Sequence, residues 1–261
     1  MVTRKDKDTL GRRARMRPQS TGKRIRLTDR DLLWMQKIHE HGPLSSEELL
    51  ALSGPQNVGR AQNRLTDLFN EDNTAHVGAY LTRPLQQFQT IDARYKHIIY
   101  SLTKVGEAAL REAGLWSDWV HHAGGPFWHQ RLTAEITVGI ELETRARDDR
   151  NFIAGWRVLE RAQVKLRYPV TFRDPNTGRV VTKELIPDQL YGIEYLTDDG
   201  PKYRFHLVEA DRGTEPKTSE QDRKSMARME AMYETGLEGL KKHLGLRAPL
   251  ILNTERVAES I

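Results

Sequence analysis

The chain of 261 residues contains no cysteine. That excludes disulfides and any zinc or iron–sulfur site held by thiolates, and it fits a reducing, cytoplasmic setting. Long apolar runs are also missing. No stretch reaches the eighteen residues of a membrane-spanning helix, so no membrane association is expected. The N-terminus is basic but lacks the apolar segment of a signal peptide. No Walker loop and no dinucleotide-type glycine motif is present, and Gly124-Gly125-Pro126 reads as a turn. The nine histidines show no HExxH or HxH spacing with a third ligand, which argues against zinc.

Acids are scarce in the first thirty residues, which hold eleven Lys/Arg against three Asp; the rest of the chain holds 30 Lys/Arg and 33 Asp/Glu. The net charge of +5 therefore comes from an N-terminal segment. Residues 1–27 have too few apolar side chains to build a core and are expected to form a disordered basic arm. Arg12, Arg13, Arg15, Lys23 and Arg24 are its candidate phosphate contacts, releasing counterions from double-stranded DNA. A merely solvated tail is the plainer alternative.

Residues 28–113 read as a winged helix-turn-helix. Thr28 and Asp31 form a capping-box pair before a first helix with Leu32, Leu33, Trp34, Met35 and Ile38 on its apolar face. Gly42-Pro43 ends it. Ser45 and Ser46 offer a cap for a short second helix, stopped by Gly54. A third helix follows Pro55, with Val58, Leu65, Leu68 and Phe69 inward. Two strand-like runs, HVGAYLTR and YKHIIYSLT, then suggest a hairpin, and Thr103 caps a closing helix. On the third helix Arg60, Gln62, Asn63 and Arg64 are the residue types that read base edges in a major groove. Arg83, Arg94 and Lys96 on the hairpin are candidate phosphate or minor-groove contacts. A protein-binding surface is the alternative for the same residues.

Residues 114–126 read as a junction. Residues 127–261 open with a long helix, FWHQRLTAEITVGIELETRAR. Strand-like runs FIAGWRVL, VVTKELIPDQLYGIEYL and YRFHLVEA follow, then a charged helix and a final apolar strand, APLILNT. That order, α-β-β-β-α-β, is the order of a restriction-endonuclease-like core. The fold expected is thus α+β, a winged helix-turn-helix followed by a nuclease-like domain.

Two acidic motifs sit in this second half: Pro187-Asp188, and Glu209-Ala210-Asp211 at the end of an apolar strand. Period-two alternation places residues 209 and 211 on one side of the strand. Asp188, Glu209 and Asp211 are the candidate catalytic residues. Glu135 from the opening helix, Asp188 and Glu209 are the candidate ligands for Mg²⁺ or Mn²⁺, hard cations that relieve the repulsion of converging carboxylates. A nuclease of this kind carries Lys where this chain has Asp211, so catalysis stays open. Lys217 or Lys224 are candidate substitutes. The plainer reading pairs the acids with Arg212, Lys183, Lys202 or backbone amides.

The runs LTDRDLLWMQKIHEHGPLSSEELLAL and YSLTKVGEAAL, the pair Pro187-Asp188 and above all LVEADRGTEP resemble the replication-relaxation family, over about residues 25–255. The resemblance implies a DNA-binding winged helix joined to a PD-(D/E)xK nuclease-like domain, in proteins of plasmids, phages and other mobile elements. Asp188, Glu209 and Asp211 fall on its site positions. The leading expectation is a DNA-binding protein controlling replication, transfer or transcription of such an element. The alternatives are a Mg²⁺-dependent nickase or endonuclease, and a non-catalytic adaptor. Homodimerisation is compatible with all three, though no heptad pattern demands it.

Overall fold

The computed structural model describes residues 15–71, 78–89, 95–211 and 220–256. Arg12, Arg13, Arg94 and Lys217, and the side chain of Asp211, lie outside the described residues. The chain is α+β and divides into two compact units, 1–117 and 118–261.

The first unit runs α1 (Asp29–His41), β1 (Leu44–Ser45), α2 (Ser46–Ser53), α3 (Val58–Asn70), β2 (Leu81–Thr82), β3 (Ile99–Leu102) and α4 (Lys104–Glu112). Its strands form a small sheet in the order β1-β3-β2, both pairings antiparallel. The helix ends follow local chemistry. Thr28 and Asp31 make a reciprocal capping box on α1, and Ser45 and Glu48 make another on α2, which stops at Gly54 in the left-handed conformation. Trp34 is fully buried, and its indole N–H donates to Leu49 O (2.7 Å) and Ser53 Oγ (3.0 Å), so its large apolar surface is buried without orphaning a donor.

Three expectations change here. Val58, expected inside, is 53% exposed; as the first residue of α3 it precedes the buried stripe, and Ala61 takes the inner position with Leu65, Leu68 and Phe69. The hairpin strands are shorter than the apolar runs. A 3-10 turn, Leu85–Phe88, occupies the expected tip, where the Gln87 side chain donates to Ile99 O (2.9 Å) and accepts from Ile99 N (2.8 Å). Residues 15–27 were expected to be disordered, yet those from Gln19 onward lie along α3. The Glu71 carboxylate, 1% exposed, accepts from Ser20 Oγ (3.0 Å), Thr21 N (2.8 Å) and Thr21 Oγ1 (2.8 Å). Lys23 pairs with Asp67, and Ile25 is buried. One apolar anchor and two carboxylates, Asp67 on α3 and Glu71 just after its end, are what fix this segment.

The second unit runs α5 (Phe127–Arg145), β4 (Arg150–Ala154), α6 (Gly155–Ala162), β5 (Tyr168–Arg173), β6 (Val180–Leu185), β7 (Gln189–Tyr195), β8 (Lys202–Asp211), α7 (Glu220–His243) and β9 (Leu250–Arg256). A four-stranded sheet has the order β4-β7-β8-β9, with β8 and β9 parallel across the α7 crossover. β5 and β6 pair separately. One face of the large sheet carries Leu190, Phe205, Leu207 and Leu250 into a core shared with Val158 and Leu159 of α6, Val170 and Leu185 of the hairpin, and Tyr233, Leu240 and Leu244 of α7.

FIAGWRVL is not one strand. β4 ends at Ala154 and the chain turns directly into α6, because Gly155 meets the β7 backbone: a Cβ there would lie 2.0 Å from Leu190 O. Gly155→Ala is therefore expected to destabilise the second unit by about 2 kcal/mol in denaturant unfolding. Gly139→Ala on α5, with nothing within 4 Å of the added carbon, is expected to be neutral or stabilising. Equal effects of the two would refute the close approach. VVTKELIPDQLYGIEYL is likewise two strands, divided at Ile186-Pro187, since proline offers no ladder N–H. β9 is a sheet edge; Leu250 is covered while Ile251 is 36% exposed.

Candidate nucleic-acid face and candidate carboxylate site

In the first unit, α3 turns Arg60, Gln62 and Asn63 outward while Ala61, Leu65, Leu68 and Phe69 are buried. Asn57 caps the helix, its Oδ1 accepting from Arg60 N (2.9 Å). Gln62, Asn63 and Thr66 then form one wall of a surface recess of about 680 Å³, with Arg15, Arg83 and Lys96 around it. Lys96 is exposed, as are Arg24 and Lys23, the latter already paired with Asp67.

Two of the expected DNA contacts are held by the fold itself. Arg64 forks onto Asp31, with Nε at 3.0 Å from Oδ1 and Nη2 at 2.7 Å from Oδ2, and Nη2 also donates to Arg26 O (2.6 Å). The Asp31 bonds hold its guanidinium even more firmly protonated than usual. Arg83 is 7% exposed and lies over the Phe69 ring (4.0 Å) and the Tyr100 ring (5.1 Å). It donates to Tyr100 Oη (3.0 Å) and Arg15 O (3.1 Å), while its buried Nε has no hydrogen-bond partner. Arg83 thus stiffens the floor of the recess more than it reaches out of it.

In the second unit, Asp188 immediately precedes β7 and is 9% exposed. Its N–H bonds Val208 O (3.1 Å), its Oδ2 accepts from Ala210 N (2.9 Å), and its Oδ1 accepts from His129 Nε2 on α5 (2.8 Å). The preceding Pro187 carbonyl is held by His121 Nε2 (2.9 Å), whose ring burial disfavours its protonated form. Glu209 projects from β8 toward α7, where its Oε1 accepts from the Tyr233 hydroxyl. Burial first, and the Asp188 charge beside it, push the Glu209 carboxyl up from 4.5 to about 7, against the lowering effect of the Tyr233 bond. Burial and the Glu209 charge raise the Tyr233 hydroxyl in turn, so it remains a donor.

The structure thus brings Asp188 and Glu209 together and adds His129, His121 and Tyr233, which sequence reasoning missed. Their signals were absent locally: His129 lies 59 residues from Asp188 and Tyr233 lies 24 from Glu209. Glu135 is not brought in. It is exposed, pairs with Arg131 (3.6 Å), and lines a separate recess with Ile193 and Arg150; six residues before it on α5, His129 takes the place expected for it. Lys202 lies at the far end of β8, beside Asp199 (3.8 Å). Lys224 sits nine residues before Tyr233 on α7, about 13 Å along the axis. The donors at the site are hard carboxylate oxygens, and a divalent cation would offset the burial that mainly raises Glu209 and the lesser repulsion from Asp188, so the residues fit Mg²⁺ or Mn²⁺.

Among the described residues no helix is long and apolar enough to cross a membrane. No curated protein and no solved structure matches the chain. A family model described as replication-relaxation matches residues 35–243, a span that takes in α3, Asp188, Glu209 and Tyr233. The chain belongs to the replication-relaxation family.

Proposed function

We propose that the protein binds double-stranded DNA through its first unit and acts in replication control of a mobile element. The observation that carries this reading is the outward set Arg60, Gln62 and Asn63 on α3, the last two bordering a recess lined also by Lys96 and Arg15. The element order of this unit supports a winged-helix reading, in which α3 would be the recognition helix and the β2–β3 connection the wing. Guanidinium and carboxamide groups on such a helix address guanine and adenine edges, and the flanking cations address phosphate. Arg64 acts by holding α3 against α1.

Fluorescence anisotropy with a duplex selected from a random pool tests this. The full chain is expected to bind at about 100 mM salt with a steep salt dependence. Replacing Arg60, Gln62 and Asn63 together by Ala is expected to cost at least tenfold for the selected duplex and less for unrelated sequence. No duplex binding by the wild-type chain would end the proposal.

A second reading is favoured by the Asp188–Glu209 pair: a nuclease-like domain assisted by a divalent cation. Asp188 and Glu209 would hold the ion, which would supply polarisation of a phosphodiester or of water. His129 and the Ala210 N–H orient Asp188, and Tyr233 orients Glu209. Calorimetry with Mn²⁺ on wild type and Glu209→Gln tests the site, and nicking of supercoiled plasmid tests the chemistry. Unchanged Mn²⁺ affinity in the variant would remove the assignment.

A further inference from the structure

The second unit has a recess of about 530 Å³ that neither the α3 face nor the carboxylate pair uses. Its floor is one row of the sheet: Ile153 of β4 and Phe205 of β8 both face Gly192 of β7. Gly192 leaves the space that the Phe205 ring fills, since a Cβ there would lie 2.8 Å from that ring. The walls carry three arginines, Arg157 and Arg161 one turn apart on α6 and Arg247 between α7 and β9. All three are exposed, and no Asp or Glu lines the recess. Arg161 and Arg247 have no carboxylate partner among the described residues. Three exposed guanidiniums around an apolar floor, that of Arg157 also lying over the Trp156 ring (5.4 Å), suit a ligand that is apolar and planar in one part and anionic in another.

We propose that this recess binds a nucleotide unit of single-stranded nucleic acid, a base against Ile153 and the exposed Tyr203 ring above the buried Phe205, and flanking phosphates on Arg157, Arg161 and Arg247. Guanidinium groups match phosphate oxygens in planar forks. The i,i+4 spacing on α6 sets two of them about 5–6 Å apart at Cβ, comparable with neighbouring phosphates of one strand. Base stacking on an apolar surface is tolerant of sequence, so the site is expected to be non-specific. It is distinct from the carboxylate site. Phe205 and Glu209 lie on the same side of β8 but about 13 Å apart, with Leu207 buried in the core between them.

The test uses the full chain and labelled oligo-dT of fifteen nucleotides, with thymidine monophosphate and poly-glutamate as competitors. Changing Arg157, Arg161 and Arg247 together to Gln is expected to weaken oligo-dT binding at least tenfold. It is also expected to flatten the salt dependence by about two in log–log slope, as for three phosphates on a single strand. Affinity for the selected duplex is expected to change less than threefold, whereas the α3 triple variant shows the reverse pattern. Failure of duplex binding therefore does not decide this proposal. Competition by thymidine monophosphate as strong as by oligo-dT would assign the recess to free nucleotides and overturn the polymer. Stronger competition by poly-glutamate would overturn it in favour of an acidic protein, as would oligo-dT affinity unchanged in the variant. Thermal melting of the variant and the single change Arg247→Gln, expected to lose two- to fivefold, guard against a folding artefact.

Discussion

Arg64→Ala is expected to destabilise the first unit by roughly 3 kcal/mol, near the low end of what removing one partner from a buried ion pair costs. Asp31 is fully buried, and Arg64 meets both its oxygens while also holding the Arg26 carbonyl. Truncation leaves the carboxylate with only the Thr28 N–H and hydroxyl, each at 2.8 Å. Those two bonds, and the partial exposure of the guanidinium, keep the loss from being larger. Asp31→Asn added to Arg64→Ala is expected to return part of the loss, because no unpaired charge then remains. Trp34, buried in the same unit, gives a fluorescence signal for denaturant unfolding. A loss below 1 kcal/mol for Arg64→Ala would show that the fork is not a stabilising element. Loss of DNA binding on changing Arg64 would report folding as much as contact, which is why Arg60, Gln62 and Asn63 are the residues to change.

Glu209→Gln is expected to stabilise the second unit by roughly 3 kcal/mol at pH 8 and to do nothing near pH 4.5. The Glu209 carboxyl is raised from 4.5 to about 7 in the folded chain. Between those values the folded protein binds more protons than the unfolded one, so stability falls as pH rises through that window and stays low above it. A neutral carboxamide keeps an acceptor for Tyr233 and removes the repulsion from Asp188. The wild-type profile should therefore slope downward from pH 5 to pH 7 while that of the variant stays flatter. Mn²⁺ at pH 8 is expected to stabilise the wild type and not the variant. Parallel pH profiles for the two would show that Glu209 ionises freely.

What the sequence disclosed tracks how local the cause is. The capping pair Thr28–Asp31 lies three residues apart and was legible, as were the Ser45 cap, Gly54 and the Thr103 cap; the reciprocal bond from Glu48 to Ser45 was not. Asp188 and Glu209 were legible because one stands at the head of an apolar strand and the other near the end of the next. Arg64 and Arg83 were read only by residue type. Their partners Asp31 and Tyr100 lie 33 and 17 residues away, and nothing near them in the chain separates a structural guanidinium from a free one. His129 was passed over because histidine spacing tests for metal ligands look only along the chain. The FIAGWRVL run defeated the strand reading because a glycine needed for tertiary contact stands where an apolar run continues. β5, which carries Pro169, was missed for a related reason: proline usually argues against a strand, and this one lies in a two-stranded hairpin.

The clasp between Ser20, Thr21 and Glu71 bears on where the first unit begins. By periodicity it starts at Thr28, and a fragment cut there would look complete by every helical criterion. Such a fragment would strip Glu71 of its hydroxyl and amide donors, and Asp67 of Lys23, at the end of the helix that carries Arg60, Gln62 and Asn63. The segment before the first helix is thus a hem stitched to the reading helix, and the smallest self-sufficient piece of this unit is longer at its front than its helices are.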